Sequence, residues 1–399
     1  MNPHKTKGLL ALPVLALALL TLADGQHSVS GRTDDRAVPG TLPLEELLER
    51  LARPDAHEPL TLEAPLGLSA EAVNRSPEPL TPALVDLGQQ LYFDKRLSRD
   101  GTVSCATCHD PAKGWADAAP VSTGIHGQKG GRSAPTIINR SLGRTQFWDG
   151  RAATVEEQAL GPIANPVEMG FTLEEAVERL AGIEGYRVQF EAVFGRPVQA
   201  EDLGRAIGAF ERTILSGASK NDHYEAALPF FDYELEGDEE PEFLERMERA
   251  LDLEATHRMS LAAERGRELY FGKAACSQCH VGADLTDEDF HNIGIGYDEA
   301  GEAQDLGRVA VTGDPAHTGA FRTPTLRNIA LTAPYMHDGS LATLMEVVEH
   351  YDRGGTPNAH LSEKMFPLEL TEQERQDLVT FLEEALTGTI TEVQVPRLP

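Results

Sequence analysis

The sequence predicts an all-α protein of two domains with long loops, and three observations predict it. A helix-plus-motif unit occurs twice, as "GQQLYFDKRLSRDGTVSCATCH" at 88–109 and "GRELYFGKAACSQCH" at 266–280, and such self-similarity argues for two homologous domains. Apolar residues elsewhere recur at helical spacing, while alternating strand patterns are scarce. Gly- and Pro-rich connections at 110–147 and 281–325 are long, and loops of that length are uncommon unless they wrap something functional. A hydrophobic content of 41% is enough to bury a core and argues against wholesale disorder. The expected domains are 81–255 and 256–392.

The elements follow in chain order. Lys5 and Lys7 precede the apolar stretch "GLLALPVLALALLTLA" (8–23), which reads as a signal peptide over 1–23. Pro13 interrupts it and it is short for a membrane span, so an uncleaved anchor is the alternative. No cysteine follows it, so a lipidated N-terminus is not indicated. Export to the bacterial periplasm is the expectation. Residues 24–80 are rich in Pro, Asp, Glu and Ser and read as a linker with one short helix at "PLEELLERLA". A helix over 83–98 places Leu87, Leu91 and Tyr92 on one face. "TLEEAVERL" opens with the capping box Thr172/Glu175. "EDLGRAIGAFERTIL" puts Leu203, Ile207, Phe210 and Ile214 on one stripe. The acidic stretch 228–260 reads as an exposed insertion. "TEQERQDLVTFLEEAL" caps with Thr371 and Glu374 and offers Leu378, Phe381 and Leu382 for burial.

The charge balance excludes some functions. Sixty-four acidic residues against 35 Lys and Arg give a net charge of −29. Such a surface repels phosphate backbones and anionic lipid, which argues against nucleic acid and peripheral membrane binding. It either aids solubility alone or attracts a cationic partner such as a basic electron-carrier protein.

All four cysteines lie in two Cys-x-x-Cys-His motifs, Cys105/Cys108/His109 and Cys276/Cys279/His280. A pair of disulfides gives no reason for the histidine after each pair. A thioredoxin-like motif needs a βαβ context that is missing, and zinc would require the two distant units to meet. Covalent haem c attachment accounts for each copy: two thiols on one turn reach the two vinyl groups, and the adjacent imidazole reaches the iron. The reading is therefore all-α, two cytochrome c-like haem domains with long loops, carrying two covalently bound haem c. His109 and His280 are the proximal ligands.

The far ligand of each iron decides its chemistry: strong ligands on both faces favour electron transfer, and an open face admits peroxide. Candidates are His126 in "TGIHGQKGG" and, in "APYMHDGSLATLMEVVEHYDRGG" (333–355), Met336, His337, Met345, His350 and Tyr351. Leu344, Val348 and Tyr351 share a helix face, so Tyr351 also reads as core.

Further segments carry a resemblance: "RSAPTIINR", "FWDGR" (147–151), "EEQALGPIANPVEMG" (156–170) and "GAFERTIL" in the first half, then "FHNIG", "DLGR", "FRTPTLRNIALTAPYMHDGS" and "LTEQERQDLVTFL". In this order they resemble the bacterial di-haem cytochrome c peroxidase family, including its MauG-like branch, over about residues 80–390. The resemblance implies that the first haem reduces peroxide and the second receives electrons. It implies that Trp148 relays electrons between them, that Glu168 is the distal carboxylate and that Gln158 is its polar companion. His126 aligns with the displaceable distal histidine of the peroxidases. At the position where peroxidases ligate the second iron with methionine stands Tyr351, which matches the MauG-like branch. A calcium ion between the domains is implied, with Thr332 and Pro334 as ligands and Ser133 where an asparagine is usual.

The expected function is reduction of hydrogen peroxide to water at the first haem, with electrons from a cytochrome c or cupredoxin. A MauG-like oxidase acting on a partner protein is the alternative, and a pure electron-transfer cytochrome a further one. A homodimer is the family expectation. Glu168 with Gln158 speaks against a pure shuttle, which has no use for a peroxide acid/base.

Overall fold

The computed structural model describes residues 40–237, 239–298 and 301–399. The signal-peptide reading of 1–23 lies outside them. Among the described residues no helix is long and apolar enough to cross a membrane.

Two hydrophobic cores form, one from each copy of the repeat. In the first, the helix Pro82–Phe93 packs on Ala200–Glu211. In the second, Leu261–Phe271 packs on Glu372–Thr380, which runs on as a π-turn over Phe381–Ala385. The repeat glycine explains the close crossing in both. A Cβ on Gly88 would lie 1.8 Å from the Ala206 carbonyl oxygen, and one on Gly266 would lie 2.1 Å from that of Asp377. Only glycine lets the backbones approach so closely.

The predicted stripes face inward. Leu87, Leu91, Leu203, Ile207 and Ile214 are fully buried, as are Phe381 and Tyr270; each such side chain contributes about 1.5–3 kcal/mol relative to exposure. Tyr92 meets Phe210 edge-on at 5.1 Å, and Tyr270 meets Phe381 at 5.2 Å. The capping boxes at Thr172/Glu175 and Thr371/Glu374 form, and a third stands at Thr343/Glu346 before Leu344–Asp352.

Among the described residues, strand is confined to two two-stranded antiparallel ladders. Ser216–Gly217 pairs with Thr389–Ile390, and Phe290–His291 pairs with Phe321–Arg322. The long loops 110–147 and 281–325 are irregular chain punctuated by short 3₁₀ turns. The acidic stretch carries a helix, Pro241–Thr256, with no fully buried residue, as an exposed insertion requires.

The short helix expected at "PLEELLERLA" forms, but residues 40–80 are docked rather than a free linker. They hold the helix Leu44–Leu51 and a short turn of helix at Ala70–Val73, and Leu42, Leu47, Ala56 and Val73 are buried. Leu44, Leu47, Leu48 and Leu51 recur at helical spacing and Leu47 docks the helix, while Leu42, Ala56 and Val73 anchor the rest without a period.

Buried ion pairs join the two halves. Arg327 binds Asp222 with two hydrogen bonds of 2.7 and 2.8 Å. Arg132 bridges Asp149 and Asp305, both within 2.9 Å. Arg140 reaches Glu288 at 2.7 Å.

Candidate haem sites

Both Cys-x-x-Cys-His turns are set in the same frame. Cys105–Cys108 forms a single helical turn, and Cys276–Gln278 a 3₁₀ turn. The tyrosine of each "L-Y-F" donates to the histidine's own carbonyl: Tyr92 to His109 at 3.0 Å and Tyr270 to His280 at 2.5 Å. No disulfide joins any of the four cysteines, so the disulfide alternative is not realised.

The histidines are oriented for ligation. His280 Nδ1 lies 3.1 Å from the Leu285 carbonyl, which leaves Nε2 as the available nitrogen. Burial pushes its pKa down to about 4, so the ring is neutral and its lone pair is free. His109 is likewise buried, and burial lowers its pKa. Its Nδ1 faces the main chain of Trp115 and Pro135 without reaching good hydrogen-bond geometry.

Beside the second motif lies a largely apolar cavity with about 1770 Å³ of empty space, its mouth included. Cys276, Cys279, His280, Met336, His337 and Tyr351 are on its walls, and so is Trp148 from the other half. Two thiols, a free imidazole nitrogen and a large apolar space fit a covalently held porphyrin. Tyr351 is therefore on the cavity wall rather than in the core, one turn beyond the buried Val348. Burial raises its phenol pKa, and the structure gives its hydroxyl no hydrogen-bond partner.

At the first motif, Glu168 is half-buried on the turn that ends the helix Val155–Ala164. Burial raises its pKa, against the charge of Arg151 and a 2.8 Å hydrogen bond from Asn165 Nδ2 to Oε1. Its charge acts on both Cys105 and Cys108, so it stands within electrostatic reach of that motif. Gln158 is half-buried on the same helix.

His126 does not join this group. It sits in a left-handed turn at φ 55°, its side chain is 63% exposed, and its Nδ1 lies 3.5 Å from Asp100. Gly124 and Ile125, not His126, pack against the Val167–Glu168 main chain. The family alignment found the loop, but the turn aims the imidazole at solvent.

Trp148, on the wall of the second cavity, is held at two points. Its Nε1 donates to the Ser133 carbonyl at 2.9 Å, and its own carbonyl accepts from the Arg322 amide at 2.8 Å. Ser133, Thr332 and Pro334 line the same cavity. Among the described residues, the one cluster of three metal-ligating side chains is Cys279, Asp287 and His291; attachment of the second haem would consume that thiol.

Sequence reasoning missed the buried charges around Trp148. Arg140 and Arg322 share Glu288, at 2.7 and 3.1 Å. Asp284 accepts from Asn139 Nδ2 at 2.9 Å and is pushed up to about 6 by burial.

Comparison with known proteins agrees with this geometry. Residues 82–227 match the family model for di-haem cytochrome c peroxidase, and residues 263–385 match that for cytochrome c. The chain is 35% identical to the methylamine utilization protein MauG of Methylorubrum extorquens over 398 residues, 98% of this chain and 100% of that protein. It is 36% identical to the cytochrome c551 peroxidase of Nitrosomonas europaea over 317 residues, 79% of this chain and 83% of that one. The crystal structure of a MauG-like protein associated with microbial copper homeostasis superposes with a TM-score of 0.66 at 34% identity, covering 83% of this chain and 94% of that chain. The chain, with its two haem c sites in two helical cytochrome c-type domains, belongs to the di-haem cytochrome c peroxidase family.

Proposed function

We propose that the chain reduces hydrogen peroxide to water, H₂O₂ + 2 e⁻ + 2 H⁺ → 2 H₂O, at the Cys105/Cys108/His109 site, with electrons entering at Cys276/Cys279/His280. When bound, the haems supply the iron redox chemistry. His109 and His280, neutral through burial, present the ligating nitrogens.

The observation that supports this reading is Glu168, a half-buried carboxyl within electrostatic reach of the first motif's cysteines. A carboxyl that burial shifts toward its protonated form can accept the proton of incoming peroxide and return it to the departing oxygen. Asn165 fixes Oε1 and leaves Oε2 for that transfer. Gln158 offers an amide from the neighbouring helix. Trp148, pinned by Ser133 and Arg322, holds its indole between the two sites for electron relay. In holoprotein, Glu168→Gln is expected to lower steady-state peroxide turnover by roughly 10²–10⁴-fold with both haem spectra retained. Full turnover in that variant would remove Glu168 from the mechanism.

A second reading is favoured by Tyr351. A phenol on the second cavity's wall, with no hydrogen-bond partner, suits ligation by an anionic oxygen. Such a donor stabilises higher oxidation states and lowers the potential relative to thioether. That would suit peroxide-dependent oxidation of a protein partner, after the MauG relatives. Turnover assays with and without a reduced cytochrome c or cupredoxin separate the two: failure with every small donor favours the oxidase.

The proposal includes export to the periplasm, on the 1–23 pattern, and a basic donor protein, on the net charge of −29. It includes one calcium ion near Ser133, Thr332 and Pro334, and a homodimer. Calcium loss on chelation and light scattering test the last two.

A further inference from the structure

Arg322 is 2% exposed on the wall of the second cavity. Its Nη1 donates to Glu288 Oε1 and to the Thr323 carbonyl, both at 3.1 Å, and its Nε lies 3.5 Å from the Phe147 carbonyl. Nη2 has no acceptor among the described residues. A buried guanidinium with unused donors is costly unless something else accepts them.

The nearby carboxylates are already engaged. Glu288 is shared with Arg140, whose remaining bonds go to Gln146 and to the Thr145 carbonyl. Asp284 accepts from Asn139 and Thr325 and faces Arg327. Burial and the charge of Arg140 push the Arg322 pKa down to about 9, so its surroundings undercompensate the cation. The cavity's third cationic side chain, Lys364, is bound to the Gln278 carbonyl at 2.9 Å and acts on Cys279. It belongs to the cysteine edge.

A porphyrin tethered through its vinyl edge carries two carboxylates on the opposite edge. These need donors inside a largely apolar cavity. We propose that Arg322, supported by Arg140, anchors a carboxylate of the second haem and ties it to Trp148. Arg322 thereby acts as a positioning residue: its side chain holds the porphyrin while its amide holds the Trp148 carbonyl. Haem edge and indole are then fixed through one residue.

The proposal rests on the two-haem assignment and not on peroxide turnover, so it is tested on resting holoprotein. Resonance Raman spectra report the propionate-bending bands, and spectroelectrochemistry reports each midpoint; signals of the second haem are those altered in His280→Met. In Arg322→Gln the second haem's propionate band is expected to shift, its midpoint to fall and a new pH dependence to appear, with the first haem unchanged. Glu288→Gln frees both guanidiniums and is expected to move band and midpoint the opposite way. An unmoved second-haem band in Arg322→Gln overturns the proposal. Should Arg322→Gln not fold, an unmoved band in Glu288→Gln overturns it equally. Wild-type holoprotein that does not turn over peroxide, with these shifts present in the variants, counts against the peroxide reading alone.

Discussion

Glu211, at the end of the helix Ala200–Glu211, is a buried carboxyl without a counterion of its own. It is 5% exposed and no hydrogen bond reaches it in the structure. Its neighbour Arg212 is committed to Glu156 at 2.5 Å. Burial first, and then the charge of Glu156, push its pKa from 4.5 to about 8, with Arg212 opposing. In the unfolded chain the group titrates near its ordinary value. The folded state therefore binds the proton more tightly, so its stabilising contribution is complete below about pH 4.5 and is lost as pH rises through about 8. At about 1.4 kcal/mol per pH unit, the displacement sets a ceiling of about 5 kcal/mol across that window. Glu211→Gln keeps shape and removes the ionisation. Urea denaturation of holoprotein, followed by far-UV circular dichroism at pH 5, 7 and 9, is the assay. Wild type should lose several kcal/mol relative to the variant between pH 5 and 9. Parallel profiles for the two proteins would refute the reasoning, because the penalty would then lie elsewhere.

Other perturbations test the sites and the frame. Trp148→Phe removes the bond to the Ser133 carbonyl; a stability loss of about 1 kcal/mol and slower inter-haem electron transfer in stopped-flow absorbance are expected. Tyr351→Phe should change the visible and EPR spectra of one haem only, and an unchanged spectrum excludes the phenol as a ligand. Asp222→Asn leaves Arg327, 3% exposed, without its carboxylate; about 3–5 kcal/mol of destabilisation should appear as a lowered Tm.

Periodicity made the helices legible. Leu203, Ile207 and Phe210 recur at helical spacing and are buried as that spacing demands. The repeat marked Gly88 and Gly266 before any reason for glycine was visible; the reason is the helix crossing. Side-chain direction in irregular loops was not legible. His126 lies on the loop that touches Glu168, yet one left-handed residue turns it to Asp100. Tyr351 shares a helix face with Leu344 and Val348, and all three line the second cavity, so spacing alone could not show that this face meets a cavity rather than a closed core. The Arg140–Glu288 pair spans 148 positions of chain, and no local pattern encodes it.

The two halves superimpose in sequence register well beyond the haem motifs, and that register locates their division of labour. Pro135 and Pro324, Asn139 and Asn328, Gly150 and Gly339, and the N-caps Thr154 and Thr343 all stand 189 positions apart. Both asparagines and both glycines adopt left-handed backbone, so the register is structural. Under it Ser133 corresponds to Arg322, and these are the two residues that hold Trp148, one by its indole and the other by its carbonyl. Trp148 itself corresponds to His337, whose carbonyl accepts from the Ser133 amide at 2.7 Å. Tyr351 corresponds to Pro162, inside the helix Val155–Ala164. Where the second copy offers a phenol oxygen, the first offers a ring with no donor atom. It cannot ligate an iron, and Glu168, the proposed acid/base group, follows six residues later. On the reading proposed above, exchanging a tyrosine for a proline would close one site and leave the other open on the same scaffold. If that reading holds, the asymmetry that peroxide chemistry requires resides in these few side chains, and Tyr351→Phe and Glu168→Gln should each alter one haem site and spare the other.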